Sequence, residues 1–207
     1  MATPTTIRAT AGSLVLAGAL LLGACGSSDG AEPDDPPASL GATPSSSESS
    51  SAPDGPTIGG AEVFVDPEGT YSIEISPEWT EVSGATIDGV EAWRIGVGTA
   101  EFQDNVNVLT QTTPGADLES YLEASIEQLG DLQLINSTVT TGANGNELGL
   151  VEYAGMVPTA PIPVHALASV MVADGKAVVA TLTADESTFA EARTVAEDYL
   201  LTLQPAR

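Results

Sequence analysis

Cysteine occurs once and histidine once in this 207-residue chain, and Lys+Arg number 5 against 29 Asp+Glu. Each scarcity excludes something. The lone Cys25 can form no internal disulfide, so an exported chain that carries it needs it for another purpose. The lone His165 argues against zinc, whose ligand sets draw on several His and Cys. As the one imidazole base available to a Ser or Cys hydrolase, it sits where a strand is expected to begin, and no context singles out a serine partner. A formal net charge of −24 repels phosphates and anionic headgroups, which excludes nucleic acid and gives no basic patch for a membrane. The acids are scattered, as expected of charge that keeps a protein dispersed, and any partner is expected to be cationic or neutral. Long apolar runs are missing too. The longest, Leu14 to Leu22, falls short of the ~20 residues that span a bilayer.

That short run is nonetheless informative. Arg8 precedes it, and the small residues Gly23 and Ala24 follow it, as in a secretory signal. Leu22-Gly23-Ala24-Cys25 resembles the lipobox of bacterial lipoproteins. The resemblance implies that residues 1–24 are a signal peptide and that Cys25 becomes the lipidated first residue of the mature chain. Two acyl chains, of the palmitate kind, give stable anchoring where one is marginal. The expected location is the extracytoplasmic face of the cell membrane. The mature chain keeps 4 bases against 29 acids, a formal charge of −25.

From Cys25 to residue 60 the chain is dominated by Ser, Pro and acids, with no aromatic residue and no base. Such a segment cannot bury enough surface to offset its ordering entropy and reads as a disordered tether. As a coil it reaches ~35 Å, and stretched toward polyproline II ~110 Å. All 3 Phe, 2 Trp and 4 Tyr lie from Phe64 onward, which sets the start of a globular domain at about residue 61. Residues 61–207 suffice for one core burying roughly 68–70% of the unfolded surface.

Within the domain, strands are expected at Val63–Val65, Tyr71–Ile75, Ala92–Val97, Val106–Thr112, Leu134–Thr140, Glu147–Tyr153, Val164–Val172 and Ala177–Thr183. Asn144-Gly145 and Asp174-Gly175 are hairpin signals, and the latter supplies the positive φ angles of a type I′ turn. A first helix is expected from Leu118 to Leu129, capped by Asp117 and ended by Gly130. A second is expected from Ala184 to Leu203, with Thr183 and Glu186 as a capping box. Hairpin-linked strands with two separated helices indicate an α+β domain, an antiparallel sheet packed by two main helices.

Tyr71-x-Ile73-x-x-x-Pro77-x-Trp79 resembles the aromatic-Pro-Trp opening of PsbP-like domains. Asn105-Val106-Asn107-Val108 is similar to the Asn-rich strand before their first long helix, and Asp174-Gly175-Lys176 precedes a last strand and a C-terminal helix as in those domains. Ile73 departs from the pattern, where an aromatic is common. With the lipobox and the acidic tether, the order of parts resembles the LpqN-type lipoproteins of Gram-positive envelopes. The resemblance implies an α/β/α sandwich and a non-catalytic adaptor, with no catalytic residue and no cofactor to carry over.

Three motifs are set aside. Gly26-Ser27-Ser28-Asp29-Gly30 matches a nucleophile elbow but lies in the tether, without the flanking strand and helix that motif needs. Asp104-Asn105-Val106-Asn107 resembles part of a calcium loop but lacks the central Gly and the distal Glu. Trp79 and Trp93 are expected to anchor the core, with Trp79 the more exposed of the two.

The stretch from Met156 to Val164 is different. It joins two strands yet carries no charge and three prolines, Pro158, Pro161 and Pro163. Such loops are ordinarily short and polar. Two readings stay open: a stiff apolar contact surface, or a cover folded over the sheet edge. On the first, Met156, Val157, Pro158, Ile162, Pro163 and His165 are candidate binding residues, with Trp79 beside them. The function expected is a non-catalytic binding or adaptor lipoprotein for an envelope protein or apolar lipid, anchored through Cys25. The alternatives are a structural surface lipoprotein without a ligand, or an enzyme acting on envelope lipids. The enzyme reading requires a cleft in which His165 meets a Ser, Asp or Glu.

Overall fold

Alternating and apolar runs punctuated by turn residues produce ten strands and two helices in the computed structural model, which describes residues 58–82, 90–157 and 160–206. The segment expected to be a signal peptide, Cys25, the Gly26–Gly30 pentapeptide and Pro158 lie outside the described residues. In chain order the elements are β1 (Glu62–Val65), β2 (Tyr71–Ile75), β3 (Thr80–Glu81), β4 (Val90–Gly98), β5 (Gln103–Thr112), α1 (Leu118–Glu127), β6 (Gln133–Thr141), β7 (Glu147–Met156), β8 (Pro163–Ala173), β9 (Lys176–Asp185), α2 (Phe189–Leu200) and β10 (Gln204–Pro205).

Seven strands form one antiparallel sheet in the order β3-β4-β5-β9-β8-β7-β6, and a small second sheet runs β1-β2-β10. The protein is α+β. The central strands β8 and β9 are buried almost throughout, because both faces of the large sheet are covered. On one face lie α2 and the small sheet, enclosing Ile73, Trp93, Val106, Leu167, Leu182 and Leu200. On the other lies α1, whose Tyr121 and Leu122 pack on Val151, Tyr153, Ala168 and Val179. Burial pushes the Tyr121 hydroxyl up to about 12. It donates to Gln111 Oε1 at 2.9 Å. A third cluster, Phe102, Val157, Ala160 and Val164, closes one end of the large sheet.

Local chemistry fixes the joints. Asp174 and Gly175 have φ of 51° and 74°, the two left-handed positions of a type I′ hairpin. Around Asn144-Gly145 only Gly145 is left-handed, at φ 82°. The link is a wider loop closed by Gly142 N–H to Asn146 C=O at 2.8 Å. Asp117 caps α1, accepting from Ser120 N–H at 2.9 Å while Ser120 Oγ accepts from Asp117 N–H at 3.2 Å.

The expected second helix is corrected at both ends. The second helix begins at Phe189, not Ala184, because Thr183 to Asp185 remain in the β8–β9 ladder, where Ala184 pairs with His165. The Thr183–Glu186 capping box therefore does not form. Asp104, buried in β5, instead accepts from Asp185 N–H at 3.0 Å and from the Thr188 hydroxyl at 2.7 Å, pinning the turn into α2. The helix also stops at Leu200, and Gln204–Pro205 returns as β10 to pair with β2. Both tryptophans anchor the core as expected: Trp79, at 9% accessible against 5% for Trp93, is the more exposed of the two and packs its ring 4.9 Å from Tyr199 of α2.

Candidate functional site

The Met156–His165 stretch divides between surface and interior. Met156 ends β7 with 57% of its surface accessible, and it pairs with Pro163, the exposed first residue of β8. Val157 and Ala160 turn inward against Phe102 and Val164, and Ile162 is half-buried against them. Part of this connection is thus a cover over the sheet end, and Met156 and Pro163 form its outer side. Trp79 lies in the core and adds nothing to this surface.

His165 points to the α2 face. Its ring lies flat on Phe189, with centroids 3.6 Å apart and planes 4° from parallel. Its Nε2 stands 2.8 Å from Glu152 Oε1. Glu152 Oε2 accepts from Arg193 Nη1 at 3.1 Å, and Arg193 also donates to Glu197 at 2.7 and 2.9 Å. Hydrogen bonding to Arg193 holds the Glu197 carboxyl below its ordinary range. Imidazole thus meets an acid, as acid–base chemistry requires. But both oxygens of that acid are engaged and one ring face is closed by Phe189. The arrangement ties β7 and β8 to α2.

The Asp104–Asn107 stretch is sheet interior rather than a loop, and Asp104, Asn105 and Asn107 are buried. Burial raises the Asp104 carboxyl, against the bonds from Thr188 and Asp185. No group of three or more His, Cys, Asp or Glu able to hold a metal ion occurs among the described residues. A polar hollow of about 340 Å³ lies between the β1–β2 turn and β4, β5 and β9, but its one base, Lys176, is already bonded to Glu68 and Thr70.

The more distinctive surface was missed by sequence reasoning. Among the described residues β6 is the last strand of the large sheet, with no strand beyond it. α1 sits over β7 and β8, so β6 overhangs. Every residue of β6 is exposed except the half-buried Thr140, and Val139 is 48% accessible. Between α1 and β6 runs a groove of about 410 Å³. Leu122, Ile126 and Val139 make its apolar floor, and Glu119, Glu123 and Glu127 of α1 stand along one side. Gly149 makes this possible. It pairs with Val139, and a Cβ there would lie 2.7 Å from the Leu122 methyls, so only glycine lets α1 settle so close. The available signal was compositional. Gln133 to Thr141 carries no charge in a chain rich in acids, but its place at the sheet edge depends on long-range pairing.

This architecture, an antiparallel sheet between helices with a small sheet on one face, is a PsbP-like fold. Among solved structures it is similar to the cyanobacterial PsbP (CyanoP) of Synechocystis sp. PCC 6803, at 18% identity and a TM-score of 0.51, over 75% of this chain and 98% of that one. It is similar to PA94, a protein of unknown function from Pseudomonas aeruginosa, at 12% identity and a TM-score of 0.51, over 71% and 98% of the two chains. LpqN of Mycobacterium tuberculosis, described as involved in cell envelope biogenesis, superposes at 11% identity and a TM-score of 0.49, over 71% and 91%. No family model and no curated protein matches the sequence.

Proposed function

We propose that this protein is a lipid-anchored lipoprotein of the extracytoplasmic membrane face that acts as a non-catalytic binding or adaptor module for an envelope component. The anchor reading rests on Leu22-Gly23-Ala24-Cys25 at the end of a short apolar run. The binding reading is carried by one observation: an exposed, uncharged edge strand beside an apolar groove in an otherwise acidic chain. Soluble proteins ordinarily blunt such an edge with charge, proline or a covering element. β6 has only a bulge near Ile135. Met156 and Pro163 lie past the start of β6, since Gln133 pairs with Ala154 two residues before Met156, and by strand alternation they share the face of Glu152 and His165 rather than that of the groove. The non-catalytic part is supported by Glu152, whose two oxygens are taken up by His165 and Arg193, and by Phe189, which covers one face of the imidazole.

The test is photocrosslinking in intact cells, with a photoreactive residue placed at Val139, at Met156, and at exposed Glu101 as control. A discrete adduct from Val139 or Met156, absent from Glu101, is the expected result. No discrete adduct from either position would favour a coat lipoprotein without a ligand and overturn the binding reading.

A further inference from the structure

The occupant of this surface can be named by its chemistry. Resting on the binding reading above, we infer that β6 takes up an extended cationic polypeptide segment as an eighth strand, with Lys or Arg side chains laid into the α1–β6 groove. Three features converge on one ligand. The outer side of β6 offers backbone N–H and C=O groups to which no strand among the described residues pairs, and an extended peptide satisfies such groups in register. The floor of Leu122, Ile126 and Val139 suits the aliphatic stem of a long basic side chain, whose head stays in water. Glu119, Glu123 and Glu127 supply the opposite charge where those heads emerge.

The spacings agree. Residues four apart on a helix stand about 6 Å apart along its axis. Same-face residues on a strand, two apart, stand about 6.7 Å apart. Three successive same-face bases on a bound strand therefore match the three glutamates of α1.

Other occupants fit less well. A second copy pairing through β6 would bring together two chains of formal charge −24 and two rows of glutamates. The chain's own residues 26–60 contain no Lys or Arg and cannot supply the cations. Phosphate-bearing ligands meet the wrong sign of charge.

The probe is a fluorescent peptide with alternating bases, acetyl-Lys-Thr-Lys-Val-Lys-Thr-Lys-amide, titrated into the purified full chain by anisotropy. It is expected to bind saturably. Binding should weaken severalfold as NaCl rises from about 0.01 to 0.1 M and the screening length falls from about 30 to 10 Å. Replacing Glu119, Glu123 and Glu127 together by Gln should cost about tenfold in affinity, and Val139→Arg should abolish binding. All four positions are exposed, so the melting temperature reports whether either variant still folds. The peptide with Pro in place of its central Val keeps the charges but loses an N–H donor and should bind at least tenfold more weakly. Equal binding of the two peptides would reduce the effect to diffuse charge attraction and overturn the strand-addition inference. So would undiminished binding by both protein variants, or a chain that sediments as a dimer broken by Val139→Arg. A discrete adduct from Val139 in cells alongside any of these results would leave the binding reading standing and remove only the cationic strand.

Discussion

Gly149→Ala tests the packing that shapes the groove. The new Cβ would stand 2.7 Å from both Leu122 methyls and 3.1 Å from its Cγ, where ordinary contact begins near 3.4 Å. Leu122 is buried and held among Tyr121, Val151 and Val179, so it cannot simply rotate away. The methyl must push α1 off the sheet or force Leu122 out of its rotamer. Overpacking of this kind costs about 1–3 kcal/mol. Alanine recovers about 0.5–1 kcal/mol through the lower entropy of its unfolded chain, because the φ of Gly149 is not in the left-handed region. The net loss is about 0–2.5 kcal/mol, or a fall of up to roughly 10 °C in melting temperature for a domain of this size. The sharper readout is a cycle with Leu122→Ala, which alone costs about 2–5 kcal/mol through the cavity it leaves. The Gly149→Ala methyl occupies part of that cavity. The double variant should then be more stable than the sum of the single effects by about 1 kcal/mol or more. Urea denaturation of all four proteins measures this. Additive effects, or a stabilising Gly149→Ala, would show that α1 does not press on Gly149 and that the groove has another origin.

Other outcomes follow from the same structure. Cys25→Ser should release the protein from the membrane fraction, and wild-type retention would remove the anchor. Val157→Asp buries a charge beside Phe102 and should unfold the domain or lower its melting temperature sharply, whereas Met156→Asp should leave it within a degree or two. The Asp104 carboxyl is raised above its ordinary 3.8 by burial, so the folded state binds that proton more tightly than the unfolded state does. Its contribution is full below 3.8 and declines as pH climbs through the raised value. Asp104→Asn should remove that decline, which denaturation midpoints taken from below pH 3.8 to neutrality will show. Moderate NaCl should raise the melting temperature of a fragment of residues 61–207 by screening its self-repulsion, and a fall would contradict that account.

Local chemistry was legible where it alone decides the conformation. Asp174-Gly175 gave its turn type, Asp117 its cap, and the alternation in Tyr71–Ile75 its strand. It misled where tertiary pairing outweighs propensity. Thr183 and Glu186 have the spacing of a capping box, but Thr183 is more useful to the sheet as a ladder partner of Ala166 and Asn105. The helix then starts later, held by Asp104 from a strand some eighty residues upstream. The uncharged run in β6 was visible as a strand. That it lies at the sheet edge, and that α1 stops one strand short of it, depends on the pairing order of seven strands, which no local pattern encodes.

The layering of the two sheets also gives the molecule a direction. The chain joins the domain at Ile58, whose N–H donates to Glu74 of β2, and then forms β1 against that same strand. It leaves along β10, on the other side of β2. Both ends of the described domain are therefore stitched to the small sheet, on the α2 side of the large one. The α1–β6 groove opens on the reverse side. A tension applied through the residues before Ile58 loads β1 first, and the large sheet stands between that attachment and the groove. Held from its N-terminal side, the protein presents the groove on the face away from its point of suspension, as a hook faces away from its line.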